Sequence, residues 1–255
     1  MTRKASKSAD TPRIRPTSQQ RGTGRRFHGA VANWLGSAIL SGKYPPGSTL
    51  SGEVEFSEKL DVSRSAYREA VQVLIAKGLL ESRPKTGTRV LPRERWNMLD
   101  PEVLAWAFSG EPDVGFVRNL FELRAIVEPA AAALAAARHT KPELKAIKDA
   151  LAAMAEHTLA TEAGRAADRD FHRSILRATH NDAVIALSSS IAAAVGWTTT
   201  FKQRKSGLPR DAIPDHRRVS DAIAARDPNA AQAAMHSLVD LALEDTRQSI
   251  KGAAR

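Results

Sequence analysis

The 255-residue chain contains no cysteine, so disulfide bonds and cysteine-ligated zinc sites are excluded. It also lacks any uninterrupted apolar run approaching the roughly 20 residues that a membrane-spanning helix requires. No apolar segment follows the basic N-terminus in the manner of a secretory signal. Together these absences predict a cytoplasmic protein that does not contact a membrane.

Positive charge is unevenly distributed along the chain. Residues 1–100 contain 18 Lys and Arg against 9 Asp and Glu, whereas residues 101–255 contain 20 against 19. The chain is long enough for two modest domains, and the basic excess in the first favours a nucleic-acid partner there. A basic solubility tail would give the same asymmetry, so the charge alone does not decide. Residues 1–25 are polar and basic, and we expect a disordered tail there.

Residues 26–92 have the order of elements found in a winged helix-turn-helix. An amphipathic helix over 26–41 ends at the Pro45-Pro46-Gly47 cluster, and a short helix over 53–60 leads into a turn. A second helix follows over 63–77, and then a β-ribbon with KTGTR at its tip. Arg64 and Arg68 lie one turn apart on the second helix, in the half that meets base edges in the major groove. This segment is therefore predicted to bind DNA.

The rest of the chain is helical in pattern. Residues 93–101 are predicted to form a linker, and residues 102–251 an Ala-rich, all-α bundle. The fold class is therefore mainly α, with an N-terminal winged helix-turn-helix domain and a C-terminal helical domain. The predicted helices of the second domain span 102–109, 113–138, 143–159, 163–179, 183–202, 216–226 and 228–251.

One carboxylate and three imidazoles in the helical domain form a candidate metal site. Asp168 and His172 are four residues apart on one predicted helix, so they share a face. His216 and His236 lie on later helices. This ligand set suits zinc, nickel, cobalt, manganese or iron. Spacing alone is weak evidence, because an Asp and a His four apart often occur by chance.

These segments resemble the GntR family of bacterial transcription regulators. The resemblance rests on GKYPPGSTL, LDVSRSAYREAVQVLIAKGLLES and KTGTRV in the first domain, and on FELRAIVEPAAAALAA with the Asp168–His172 pair in the second. The second domain is similar to the helical FCD effector domain of the FadR-type subfamily. The run RERWNMLDPEVLAW at 93–106 is similar to sugar-acid regulators within the family.

The resemblance implies roles for particular residues. The recognition helix would contact the operator, and the wing tip would reach into the minor groove. The helical domain would hold a divalent metal, zinc first and nickel or manganese as alternatives, together with a small carboxylate effector. Arg124 would face that effector, although an ion pair with Glu128 is an alternative role for it. The implied DNA-contacting residues are Ser63, Arg64, Ser65, Arg68, Lys85, Thr86 and Gly87, and the implied metal ligands are Asp168, His172, His216 and His236.

The chain departs from the family at Val54, where many members have an arginine that contacts DNA. The operator sequence therefore cannot be inferred from typical members. We expect a homodimer that binds double-stranded operator DNA and is released from it by a sugar acid such as galactonate. Other classes stay open at this stage. One is a metal-dependent regulator or an architectural DNA binder with a purely structural metal site, and another is a metalloenzyme that uses the same Asp and His ligands.

Overall fold

The computed structural model describes residues 24–83, 87–206 and 210–252. The chain divides into two compact units between Met98 and Leu99. The division lies inside the predicted linker 93–101.

The first unit contains three helices and a two-stranded sheet, and this order confirms the winged helix-turn-helix prediction. An aromatic cluster holds the three helices together. The Phe56 ring centroid lies 5.9 Å from that of Trp34 and 4.9 Å from that of Tyr67, so each helix contributes one ring. The elements are α1 (Gly24–Leu40), α2 (Glu53–Leu60), α3 (Arg64–Ala76), β1 (Leu80–Arg83) and β2 (Gly87–Val90).

The turn between α2 and α3 follows from two local features. Asp61 adopts a left-handed conformation that ends α2, and Ser63 begins α3 by accepting a hydrogen bond from the Ala66 amide at 3.2 Å. On α3, the side chains of Tyr67, Val71 and Leu74 are buried. Arg64 and Arg68, in the N-terminal half of the helix, are exposed.

The wing is an antiparallel pair in which Leu80 lies opposite Val90 and Arg83 lies opposite Gly87. Thr49 forms a further antiparallel bridge with Arg89, so the segment before α2 joins the sheet. Gly87 has a φ of 82°, a conformation that favours glycine. The predicted tip residues Lys85 and Thr86 lie outside the described residues, as do residues 1–23 of the predicted disordered tail 1–25. The last two residues of that predicted tail belong instead to α1, which begins at Gly24.

The start of the predicted linker packs on the first unit. A short 3-10 turn spans Arg93–Arg95, and the buried Trp96 donates a hydrogen bond from Nε1 to the Leu91 carbonyl at 2.8 Å. Gly78 permits this approach, because a Cβ there would lie 2.1 Å from the carbonyl oxygen of Arg95. Residues up to Met98 therefore belong to the first unit.

The second unit is a bundle of helices, as predicted. Its core is rich in alanine and contains the fully buried rings of Phe108, Phe121, Phe171 and Phe201. The helices are α4 (Pro101–Ala107), α5 (Val114–Arg138), α6 (Lys141–His157), α7 (Glu162–Arg177), α8 (Asp182–Ala186), α9 (Ser188–Ser206), α10 (Ile213–Ala224) and α11 (Pro228–Gly252).

Side-chain caps determine where several of these helices begin. Asp113, Thr161 and Asn181 accept hydrogen bonds from backbone amides at the starts of α5, α7 and α8. Thr140 and Glu143 form a capping box at the start of α6. Within residues 24–83, 87–206 and 210–252, no helix is long and apolar enough to cross a bilayer.

Candidate functional site

Three predicted metal ligands converge in the interior of the second unit. Asp168 and His172 come from one face of α7, and His216 comes from the first turn of α10. Each of the three is no more than 4% exposed, and their ligand atoms lie within 4.8 Å of one another. Asp168 Oδ1 is 3.6 Å from Nε2 of His172 and 3.2 Å from Nε2 of His216. Ligands of one ion with bonds of about 2.1 Å lie at comparable separations.

The second nitrogen of each imidazole is held by an acceptor. Nδ1 of His216 lies 2.8 Å from the Ala212 carbonyl oxygen, and Nδ1 of His172 lies against the carboxylate of Glu128. Because a carbonyl and a carboxylate only accept, both Nδ1 atoms must carry the proton. When the imidazoles are neutral, both Nε2 lone pairs then face the Asp168 carboxylate. These electron-rich groups repel one another unless a cation lies between them. The three residues therefore fit a divalent metal ion.

The carboxylates around the site are held in the ionised form. Burial opposes ionisation of Glu128, but Arg124 and His172 outweigh it and lower the pKa of this carboxyl to about 2. Burial opposes ionisation of Asp168 too. When Nε2 of His216 carries a proton in place of a metal ion, its hydrogen bond to Asp168 and the nearby positive charges lower the pKa of Asp168 to about 2. Asp168 is therefore available as an anionic metal ligand.

The structure does not bring His236 to this cluster. Its side chain is 58% exposed, and Nδ1 pairs with Asp240 at 2.9 Å. The residues of α11 that line the cavity are Leu238, Ala242 and Asp245, and Leu238 is buried. Two residues along a helix correspond to about 200° of rotation, so His236 and Leu238 lie on opposite sides of α11. The described residues thus provide three protein ligands here.

Arg124 is 3% exposed and donates a hydrogen bond from Nε to Glu128 Oε1 at 2.5 Å. The ion pair with Glu128, one of the two roles that the sequence left open, is therefore present. Its guanidinium also lies 5.0 Å from the Phe121 ring centroid and lines the cavity.

A small cavity of about 30 Å³ adjoins the three ligands. It has room for about one or two water-sized groups. Lys202 from α9 and Arg210 line it together with Arg124, so three cationic side chains surround the space. Arg210 pairs with Asp245 at 3.1 Å and with Asp215.

The sequence predicted Glu128 as a possible ion-pair partner of Arg124, but it did not indicate that Glu128 also contacts His172. Nor did it identify Lys202, Thr199 or Arg210. Thr199 donates a hydrogen bond to Asp168 Oδ2 at 3.4 Å. The spacing of Thr199 and Lys202 along α9 places them on one face of the helix, but nothing in the sequence indicates that this face lines a cavity.

The predicted DNA-contacting residues lie on the exposed face at the start of α3. Ser63, Arg64, Ser65 and Arg68 are all exposed. The Ser63 and Ser65 hydroxyls lie 3.0 Å apart, and Arg68 donates from Nε to Glu53 Oε2 at 2.6 Å. The ion pair with Glu53 of α2 was not predicted.

A winged helix-turn-helix unit followed by a helical unit with a buried Asp-His-His cluster defines a class of DNA-binding transcription regulators. Residues 28–90 match the family described as bacterial regulatory proteins, gntR family, and residues 119–241 match the FCD domain. The chain belongs to the GntR family and carries an FCD domain. This family and the relatives below are transcription regulators, not enzymes.

Several curated proteins are similar over most of their length. The galactonate operon transcriptional repressor of Escherichia coli is 36% identical over 208 residues, 80% of this chain and 90% of that protein. The regulator LutR of Bacillus subtilis is 30% identical, over 77% of this chain and 90% of that protein. The Uxu operon transcriptional regulator of Escherichia coli is 28% identical, over 83% of each. The chain is thus related to regulators of sugar-acid operons.

Solved structures show the same fold. Lar from Listeria monocytogenes has a TM-score of 0.64 and 19% identity, covering 87% of this chain and 96% of that one. McbR from Escherichia coli has a TM-score of 0.52 and 16% identity, covering 87% and 97%. At these identities the likeness concerns the fold alone.

Proposed function

We propose that this regulator is a homodimeric repressor that leaves its operator when a small carboxylate, a sugar acid such as galactonate, binds the second unit. The observation that carries the proposal is the convergence of Asp168, His172 and His216 beside a cavity lined by cations. The relatives named for galactonate and Uxu operons support the ligand class.

The metal would be held by Asp168, His172 and His216, with zinc as the first expectation and nickel or manganese as alternatives. A divalent ion with three protein ligands keeps positions open for oxygen ligands of an effector. Glu128 and the Ala212 backbone carbonyl would orient the two imidazoles. The cationic side chains of Arg124, Lys202 and Arg210 would attract an anionic effector. Arg124 lines the same space and would face the effector.

Effector binding requires a change in the second unit. A cavity of about 30 Å³ is far smaller than the roughly 300 Å³ of ordinary ligand pockets. The surrounding helices must therefore adjust before a six-carbon acid fits. A ligand that binds one conformation better than the other shifts the population toward it, and this provides the route from effector to operator affinity.

In the first unit, Ser63, Arg64, Ser65 and Arg68 would face the operator's major groove. Gly87 and its neighbours Lys85 and Thr86 would face the minor groove. An arginine that reads guanine contributes roughly 1–3 kcal/mol of discrimination against the wrong base. Two such units in a homodimer would bind a pseudo-palindromic operator.

The test is operator binding measured by fluorescence anisotropy while galactonate and other sugar acids are titrated into the metal-loaded protein. Release at micromolar to millimolar concentrations of one acid is the expected result. Tight operator binding that no acid changes would leave the DNA-binding assignment standing and refute the effector class. An architectural DNA binder would show the same indifference in a thermal-shift assay.

A further inference from the structure

Lys202 is a buried cation that faces the cavity of the second unit. Its side chain is 8% exposed and lines the same cavity as Arg124 and the three ligands. Within residues 24–83, 87–206 and 210–252, it has neither a hydrogen bond nor an ion pair. Burial lowers the pKa of Lys202 to about 8, and the charges of Asp245 and Asp168 oppose this shift without cancelling it.

The other cations of the cavity already have counter-ions. Arg124 is paired with Glu128, and Arg210 is paired with Asp215 and Asp245. Among the described residues that line the cavity, Lys202 is therefore the cation without a close ion pair, although the charges of Asp245 and Asp168 still act on it. Burying an ammonium ion without a close counter-ion is unfavourable, and a negatively charged ligand bound beside it would offset this cost.

We infer that Lys202 is the counter-ion for the effector's carboxylate, whereas Arg124 faces the same space with its charge already compensated by Glu128. This inference rests on the proposed function, and it deepens it by assigning the residue that recognises the negative charge. Lys202 and Thr199 lie on one face of α9, and Thr199 hydrogen-bonds Asp168. A ligand held by Lys202 would therefore lie beside the Asp168 carboxylate and within reach of an ion bound there.

The chemical class of ligand follows from this charge. A small carboxylic acid with hydroxyl groups offers an anion to Lys202 and neutral oxygens to the metal and to the Thr199 hydroxyl. The corresponding sugar alcohol offers the hydroxyl groups alone. Because a hydroxyl cannot compensate a buried ammonium charge, discrimination between acid and alcohol is expected to depend on Lys202.

The experiment compares full-length wild type with Lys202→Met, Lys202→Arg and the exposed control Lys148→Met, all loaded with zinc. Galactonate and the uncharged galactitol are the probes, and binding is measured by calorimetry and thermal shift. Galactonate, but not galactitol, should stabilise wild type and Lys148→Met. Lys202→Met should bind it at least tenfold more weakly at unchanged zinc content, and Lys202→Arg should recover part of the affinity.

A second readout needs no ligand. Lys202→Met removes an unpaired buried charge, so without galactonate its melting temperature should rise by about 2–4 °C above wild type. A fall instead would reveal a structural partner for Lys202 and overturn the inference. If Lys202→Met does not fold, the inference is tested on Lys202→Arg, whose bulkier head group should weaken galactonate binding at normal zinc content.

The outcomes separate the inference from the proposed function. Equal galactonate affinity in wild type and Lys202→Met overturns the role of Lys202 and leaves the proposed function intact. A loss of zinc in Lys202→Met also overturns it, because the lysine would then act on the metal ligands. A wild type that does not respond to galactonate refutes the sugar-acid proposal, and the role of Lys202 with it.

Discussion

The carboxylate of Glu128 lies directly against Nδ1 of His172, and both side chains are almost completely buried. The contact fixes the imidazole so that Nε2 faces Asp168, at 3.6 Å from Oδ1. Glu128 is in turn held by Arg124 at 2.5 Å. Arg124 therefore influences His172 through Glu128, and its charge also helps to lower the pKa of Asp168.

We predict that Glu128→Gln weakens zinc binding by about 10- to 100-fold, the usual cost of removing a residue that orients a metal-bound histidine. The amide replaces a charged acceptor and also leaves Arg124 without its counter-ion. Competition with a chromophoric chelator measures the affinity. The matched control is Glu122→Gln on the same helix, where the side chain is 65% exposed. Equal zinc affinities for the two variants would contradict the assigned role of Glu128.

We also predict that the two later histidines differ in their effect on metal content. His216→Ala removes a buried ligand, so zinc should be lost from the purified protein. His236→Ala should retain zinc at the wild-type level, because this imidazole is exposed and paired with Asp240. Elemental analysis of the dialysed proteins measures the content. Zinc loss in His236→Ala would instead place its imidazole at the metal.

The convergence of Asp168, His172 and His216 could be predicted because sequence spacing and family resemblance agree there. The position of His236 away from this cluster has a geometric cause. Sequence order places it on the correct helix, but only packing shows which side of α11 faces the cavity, and that side presents Leu238. Lys202 was missed because nothing in the sequence distinguishes a buried lysine near a helix end from an exposed one.

The fold was more accessible to prediction than the site. Asp61, Ser63 and Asp113 mark helix ends through local chemistry that is readable in the sequence. The predicted helix 183–202 is divided instead into α8 and α9 at Leu187, a position with no proline or glycine to signal a break. The local sequence therefore contains no signal that would have predicted this boundary.

Metal and effector binding should be coupled. Because the described residues supply three ligands, an acid that completes the coordination stabilises the bound ion. Thermodynamic linkage then requires saturating galactonate to raise zinc affinity by the same factor by which zinc raises galactonate affinity, typically about 5- to 150-fold. Calorimetric titrations of each ligand with and without the other measure both factors. If neither ligand changes the affinity of the protein for the other, the acid does not share the metal site.

The ion pair between Arg68 and Glu53 leads to a prediction about DNA binding. Glu53 partly compensates the charge of Arg68. Arg64, at the start of α3, should therefore attract DNA phosphates more strongly than Arg68 does. Arg64→Ala should therefore weaken operator binding more than Arg68→Ala.

Glu53→Gln should strengthen binding to all duplex sequences, because it frees the charge of Arg68 to bind phosphate. The slope of log affinity against log salt concentration should become steeper by about one unit. Anisotropy titrations on operator and scrambled DNA at several salt concentrations measure both effects. Weaker binding by Glu53→Gln would mean that the ion pair instead orients Arg68 toward a base.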